Sequence, residues 1–432
     1  MTASLPRASV RETLAVTAGV LAPMLAQGVI VRRPAMTVLA DRLQTDRRAA
    51  AILRGLRDRH GAGPVLLRIP GRDLAVVLDA GDVDRLLAGA PHPFTPANRE
   101  KRSALRHVQP FGVLISDDAG RTVRRPWNED VLDHGADLHR LHERLVRVVE
   151  EETDALAAEP VLTWDRFHQV FWRIVRRVAL GDPARDDERV TELMTLLRAQ
   201  ANWAFLRPRS TRRLRELGRR LQAYVADADP LSLAGVVART PAAPGTAPVG
   251  QIPHWLFAFD AAGIAAYRAL ALLAAHPDVL AAVREEDPAD QRGLRPLARA
   301  SVLESVRLWP TTMVILRDSV EDTEWAGRRA RAGTGFAVAS SFFHRDEENL
   351  PWADRFEPEI WLDGRAEASR ALVPFSAGPA RCPGRTLVLD LTSELVAAVV
   401  RDRGLTLSGP RRLDGGAPLP RTLAHTRLEF RG

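Results

Sequence analysis

Cys382 is the only cysteine in the 432-residue chain, and it stands in the run PFSAGPARCPGR, residues 374–385. A single thiol cannot close an internal disulfide, which suits a reducing cytoplasm and leaves the sulfur for reactive or metal-binding chemistry. Pro383 suits the first position of a helix. The sulfur is therefore expected at the N-terminal end of CPGRTLVLDLTSELVAAVV, where unpaired N–H groups and the positive end of the dipole favour thiolate over thiol. Gly378 permits a tight turn with positive φ, and Gly384, lacking a Cβ, lets a flat object lie close to the backbone. A planar cofactor held through sulfur would use both glycines. A buried structural cysteine at a helix start would account for the same residues.

A second constellation lies 78 positions upstream. In LESVRLWP, Glu304 and Arg307 are three apart on a helix, on one face, and able to pair. Such pairs usually mark a solvated face. The order is less usual: Glu-x-x-Arg, Pro310, Arg317, HRDEENLPWADRFEP, then Phe-x-x-Gly-x-x-x-Cys-x-Gly. His134, His139 and His142 are spaced five and three apart, which does not match a zinc-protease pair, so they read as helix-surface histidines.

Taken together, these motifs closely resemble the cytochrome P-450 superfamily of haem-thiolate enzymes, most strongly from about residue 250 to 400. The resemblance implies haem b (iron protoporphyrin IX), with Cys382 as the axial metal ligand and Phe375, Gly378, Arg381 and Gly384 beside it. Glu304 and Arg307 would be a salt-bridged scaffold behind the cysteine loop. Arg317 would bind a haem propionate, a role that suits a bidentate guanidinium. Arg121 and Arg125, in DAGRTVRRPWN, fall where the family has Trp or His and then a propionate-binding Arg. Two departures stand out. Ala380 replaces a propionate-binding Arg or His two before the cysteine, and Ile360 replaces the third member of the salt-bridge network, which is then missing or supplied elsewhere.

The larger departure is on the oxygen side. The family's acid-alcohol pair, which hands protons to dioxygen, is matched by Ala262-Gly263-Ile264-Ala265-Ala266, with alanine at both relay positions. Asp260 lies about 120° round a helix from Ala266, whereas Phe259 and Ala262 fall within about 40° of it. The catalytic face would be Ala262, Gly263 and Ala266, and Asp260 a structural or substrate-edge carboxylate. The expected activity is monooxygenation of a hydrophobic small molecule of the secondary-metabolite type, with protons from water or substrate. The alternatives are a peroxide-using haem peroxygenase, or a haem-binding protein without oxygenase turnover. Phe257, Phe259, Trp203 and Met313 are the expected substrate contacts. Electrons would come from a ferredoxin and ferredoxin reductase, since one cysteine cannot hold a Cys₄ cluster.

The elements that must position these residues read as mainly α with a small β-rich subdomain, the cytochrome P-450 fold, in a single domain spanning 1–432. PVLLRI and DLAVVLD around PGRD form a hairpin pattern. LHRLHERLVRVVEEETDAL has helical periodicity, and residues 239–253 read as a loop or linker. HWLFAFDAAGIAAYRALALLAAHP is apolar almost all round, the pattern of a buried helix. A final helix is expected from about Pro383 to Val400. The apolar stretch TLAVTAGVLAPMLAQGVIVRR is interrupted by Pro23 and Gln27, so it reads as a packed or peripheral helix and no transmembrane segment is expected. The formal charge is +7, yet of the 61 basic residues only Lys101 is lysine. No nucleic-acid motif accompanies the arginines. The densest basic run, RSTRRLRELGRRLQAYV, places Leu214, Leu217 and Leu221 on one face of an amphipathic helix. A cytoplasmic location is expected.

Overall fold

The computed structural model of the chain describes residues 3–61, 63–157, 159–289, 291–401 and 403–432. About 55% of the chain is helical, and its sheets are small. The chain forms two compact units, each assembled from separate stretches: Met1–Arg102, Val306–Cys382 and Pro418–Ala424 in one, Ser103–Ser305, Pro383–Ala417 and His425–Gly432 in the other.

The first unit carries the β-rich part. The helices α1 (Thr45–His60) and α2 (Ala80–Ala88) accompany a five-stranded sheet. Its strands are β1 (Val65–Ile69), β2 (Arg72–Val76), β3 (Phe94–Thr95), β4 (Val314–Ser319) and β5 (Gly335–Ala339), in the order β1-β2-β5-β4-β3. β1 and β2 are the expected hairpin, antiparallel from Val65 opposite Val76 to Ile69 opposite Arg72, with Gly71 at the turn taking φ +70°. Only the β2–β5 pairing is parallel. The apolar N-terminal stretch is a broken helix, with a π-helical turn at Thr17–Leu21 between Val10–Val16 and Ala22–Gln27. Val16, Val20 and Met24 face the core, while Leu14 and Leu25 stay exposed, as a packed peripheral helix requires.

The second unit is helical. It contains α3 (Asp118–Val131), α4 (Trp164–Leu180), α5 (Glu188–Ala201), α6 (Thr211–Ala226), α7 (Pro248–Ala275), most of α8 (Pro296–Leu308) and α9 (Arg385–Arg401). α7 is long and apolar enough to cross a membrane, but most of it is buried inside the protein, as in the core helix of a globular unit. It begins at Pro248, inside the stretch expected to be loop. The cause is Gln251, whose amide donates to the carbonyls of Phe111 (2.8 Å) and Thr246 (3.0 Å) while its oxygen accepts from Val113 N and Asn128 Nδ2, both at 3.2 Å. These bonds tie the first turn to the Phe111–Val113 segment and to Asn128, while no side chain caps the turn at Ala247. At the other end of α7, the buried Tyr267 hydroxyl donates to Leu428 O (2.8 Å) and Leu162 O (3.1 Å), tying the helix to the strands near the C-terminus. The final helix starts at Arg385, two residues later than expected, because Pro383 and Gly384 form a turn before it.

Candidate functional site

In the first unit, the cysteine loop is shaped by backbone polar groups. Cys382 N donates to Phe375 O at 2.9 Å, Arg381 N to Gly378 O at 2.9 Å, and Ser376 N to Val373 O at 2.9 Å. The loop reverses through Ser376 at φ +60° and Gly378 at φ +63°. A Cβ on Gly378 would lie 2.2 Å from the carbonyl oxygen of Leu87 at the end of α2, so the loop closes only with glycine there. Cys382 is a half-buried thiol outside any disulfide. The Arg381 side chain is exposed, and Phe375 is half-buried.

Behind the loop, Arg307 is fully buried at the end of α8. Its guanidinium donates to the carbonyls of His344 (3.1 Å), Ala353 (2.9 Å) and Arg355 (2.6 Å), and it stacks over the Trp352 ring at 4.9 Å. Glu304, one turn earlier, is also fully buried. His344 accepts a hydrogen bond from Val373 N at 3.1 Å, which requires an unprotonated Nε2. Burial, reinforced by the Arg307 charge, pushes its pKa down to about 3. Ile360, where the resemblance leads one to look for an arginine, is an apolar core residue packed with Leu350, Ala353 and Leu372. The buried Arg345 fastens a neighbouring part of this region: it pairs with Asp354 at 2.8 Å and donates to Leu419 O (2.6 Å) and Pro420 O (2.7 Å). His344 and Arg345 open the run HRDEENLPWADRFEP, but the sequence assigns neither of them a role.

Cations gather at two places. In the first unit, Arg317 on β4 is buried and donates to Ser376 Oγ (3.2 Å) and Leu316 O (3.0 Å). The lone lysine, Lys101, donates to the same Leu316 oxygen at 2.8 Å. Burial and then the Arg317 charge hold the Lys101 pKa well below its ordinary value, against the pull of Asp318 and Glu100. In the second unit, Arg121 on α3 is buried, and burial together with the Arg125 charge lowers its pKa. Arg125 pairs with Glu129 at 2.6 Å. Two positions on, the Trp127 ring stacks on Trp255 at 6.0 Å, and its buried indole N–H has no hydrogen-bond partner among the described residues.

On α7, Phe259, Ala262, Ala265 and Ala266 are buried. Gly263 faces α4: a Cβ there would meet Phe171 Cε1 at 2.8 Å, so its smallness serves helix packing. Ala265 O accepts from Ser305 Oγ at 2.8 Å. Asp260 is ion-paired with the buried Arg198 of α5 and has His168 at 3.7 Å. Burial works to raise its pKa, but the Arg198 charge and the hydrogen bonds from His168 and Arg198 outweigh it, so the carboxyl is held well below its ordinary range. Phe257 is half-buried beneath the same guanidinium, 5.4 Å from its ring centre. Met313, in the first unit, is half-buried and its sulfur accepts from Arg32 at 3.1 Å. Trp203 stands outward on an exposed turn.

The sequence profile of the cytochrome P450 family matches residues 261–389, which contain the alanine-rich stretch of α7, Glu304, Arg307, Arg317 and Cys382. Over that stretch the chain is similar to the cytochrome P450 family. It is similar to cyclooctat-9-en-7-ol 5-monooxygenase of Streptomyces melanosporofaciens, 36% identical over 139 residues, or 30% of each chain. It is also similar to methyltetrahydroprotoberberine 14-monooxygenase of Papaver somniferum, 31% identical over 160 residues, 33% of this chain and 30% of the other. The matches thus span under a third of these relatives' length. Two solved structures share the fold of this chain over most of its length. CYP175A1 from Thermus thermophilus has a TM-score of 0.66 at 20% identity, covering 99% of both chains, and the retinoic-acid-bound cyanobacterial CYP120A1 a TM-score of 0.68 at 17% identity, covering 88% and 93%.

Haem b is the cofactor of this family, and the residues present fit it. Among the described residues no group of three or more His, Cys, Asp or Glu could hold a metal ion, and Cys382 would hold an iron whose other ligands a bound cofactor such as haem would supply. The unpartnered Trp127 N–H is a buried donor waiting for an acceptor, and the crowded Arg317–Lys101 pair suits a carboxylate.

Proposed function

We propose that the protein is a haem-thiolate monooxygenase that inserts one oxygen atom from dioxygen into a hydrophobic small molecule of the secondary-metabolite type, using electrons from a ferredoxin and its reductase in the cytoplasm. The observation that carries this reading is the chain's one cysteine, Cys382, held in a loop that only glycine at 378 allows to close. Haem bound through that sulfur supplies oxygen activation, with the thiolate donating electron density that favours O–O cleavage. Phe375, Gly378, Arg381 and Gly384 would flank it. Arg317, Arg121 and Arg125 would hold the propionates, joined by Lys101 and the Trp127 N–H, and the Glu304–Arg307 pair would buttress the loop. The chain, 1–432, would be a single haem-thiolate domain.

Ala262, Gly263 and Ala266 carry no exchangeable side-chain proton. Asp260, kept ionised by Arg198, is no acid at neutral pH. Protons would therefore reach the oxygen from water or from a hydroxyl of the substrate. Phe257, Phe259 and Met313 would contact that substrate. The monooxygenase names of the two relatives, and the retinoic acid in the cyanobacterial neighbour, support a hydrophobic one.

The same apolar face favours a second reading, in which hydrogen peroxide supplies oxygen already reduced. The deciding experiment has two parts. The reduced, carbon monoxide-bound absorption spectrum should show the long-wavelength band of thiolate ligation and lose it in Cys382→Ser; an unchanged spectrum in that variant ends the haem-thiolate reading. Product formed per NAD(P)H with ferredoxin partners is then compared with product per peroxide. Product with peroxide alone selects the second reading, and no product in either regime leaves a haem protein without oxygenase turnover.

A further inference from the structure

Most of α7 is sealed, but one stripe of it is not. From residue 251 to residue 273 every side chain is buried except His254, Phe257, Ala258, Asp260 and Ala261. Asp260 is taken by Arg198. Relative to His254, the other three lie three, four and seven residues on, so the four share one face, which neighbouring side chains do not fully cover. His254 is its polar member. Burial, reinforced by the charge of Arg125 on α3, pushes the His254 pKa down to about 4, so near pH 7 the imidazole is neutral, with one donor and one acceptor nitrogen. Its Nδ1 is buried and has no hydrogen-bond partner among the described residues. A ring so strongly desolvated that still keeps part of its edge uncovered lines an internal recess and not the outer surface. A second open polar group stands on the segment beside it. The Phe111 side chain lies against Gly250, one turn before His254, and two residues before Phe111 the fully buried Gln109 has neither Oε1 nor Nε2 partnered among the described residues. Buried amides and imidazoles are nearly always bonded, so two left open at one end of a helix point to a ligand that supplies the partner.

We propose that His254 is a specificity-determining residue that hydrogen-bonds a hydroxyl or carbonyl group of the substrate, at the end of the molecule remote from the carbon that is oxidised. At about 1.5 Å per residue, His254 stands about 12 Å along the helix from Ala262 and about 18 Å from Ala266. Between them Phe257, Ala258 and Ala261 offer only carbon to whatever lies alongside. The substrate class is therefore an elongated apolar molecule with a neutral polar group at one end. A carboxylate suits the position poorly, because the imidazole carries no charge and the cation that acts on it, Arg125, is already paired with Glu129 at 2.6 Å. A pure hydrocarbon suits it poorly too, since Nδ1 would stay without a partner. The inference rests on the monooxygenase reading for which end is oxidised; binding at His254 requires no turnover.

The test is equilibrium dialysis of the full chain, as purified with its cofactor, against a panel of terpenoid and long-chain alcohols, each paired with its parent hydrocarbon and with the matching carboxylic acid. The native chain is expected to bind its best alcohol about tenfold more tightly than the hydrocarbon, the effect of one well-made hydrogen bond. His254→Leu should abolish that preference, and His254→Gln, which keeps a neutral donor and acceptor, should restore most of it. Alcohol and hydrocarbon are compared on the same variant, so a general loss of packing moves both and leaves their ratio in place. A preference that survives in His254→Leu, tighter binding of the acid than of the alcohol, or no binding of any alcohol overturns the proposal. The preference together with a carbon monoxide spectrum lacking the thiolate band removes the haem-thiolate reading and leaves the His254 site standing. The thiolate band without the preference removes the His254 site alone.

Discussion

From Phe375 to Cys382 the chain is held by hydrogen bonds to backbone groups, whereas from Phe259 to Ala266 it is held by side-chain volume. The loop hangs on carbonyls: Phe375 O receives Cys382 N, Leu87 O presses on Gly378, and the buried Arg307 gathers three more carbonyls behind it. The helical stretch has one charged anchor, the Asp260–Arg198 pair, and elsewhere its tightest demand is that Gly263 leave room for Phe171. The difference teaches where each region can change. Backbone carbonyls cannot step aside without unmaking their own element, while a phenylalanine ring can turn or slide. A protein so built can carry alanine at 265 and 266 and still hold a thiol in place.

The comparison can be broken most directly at Arg307. Replacing it with Met strips a donor from three buried carbonyls, and a loss of about 4 kcal/mol is expected in denaturant unfolding. A change under about 1 kcal/mol would show that the loop does not rest on these bonds. Next comes a matched pair. Gly378→Ala should cost about 3 kcal/mol, because it combines strained φ with a carbonyl that cannot yield. Gly263→Ala should cost about 1.5 kcal/mol, its neighbour being a side chain. Thermal midpoints of the two variants give the order, and its reversal contradicts the contrast drawn above.

A smaller effect sharpens the helix side. Ala266→Thr places a hydroxyl at a fully buried position for about 1 kcal/mol of overpacking. On the monooxygenase reading it should raise the product formed per reductant consumed and lower the solvent isotope effect on turnover. An unchanged ratio means that protons already arrive by a route the hydroxyl does not join.

The smallest effect lies away from both regions. His142 Nδ1 bonds to the buried Asp390 at 2.8 Å, and that bond raises its pKa against the cost of burial. A raised folded-state pKa means the stabilisation is complete below the unfolded histidine value near 6.5 and is lost as pH rises through the raised folded value. Urea midpoints measured from pH 6 to 9 should therefore decline more in the native chain than in His142→Gln, and parallel curves would count against the linkage.

Much of the site was legible because it lies in short spans of sequence. The Cys382 loop, the Glu304–Arg307 spacing and the hairpin around Gly71 each occupy a dozen residues or fewer, and each was expected where it stands. The first turn of α7 was missed because it depends on Gln251 reaching Phe111, which lies 140 residues away. His344 was missed for a related reason. A histidine that accepts from Val373 N has no signature of its own, and nothing in FFHRD foretells that bond. Trp127 stood in the quoted DAGRTVRRPWN, but the arginines beside it drew the propionate reading, and only burial shows its N–H without a partner.

Residue identity alone determined that the chain has one thiol, at Cys382, and that the side chains of Ala265 and Ala266 cannot donate a proton, since both facts are properties of side-chain chemistry that no fold can alter. Tertiary structure decided what the neighbouring polar and aromatic residues do. Asp260 is a fixed carboxylate because Arg198, 62 residues earlier, is brought against it, and Trp203 faces outward because Ala204 takes the inward place on its turn. Protonation and exposure depend on which distant groups come within a few ångströms, and that proximity is created only when the chain folds.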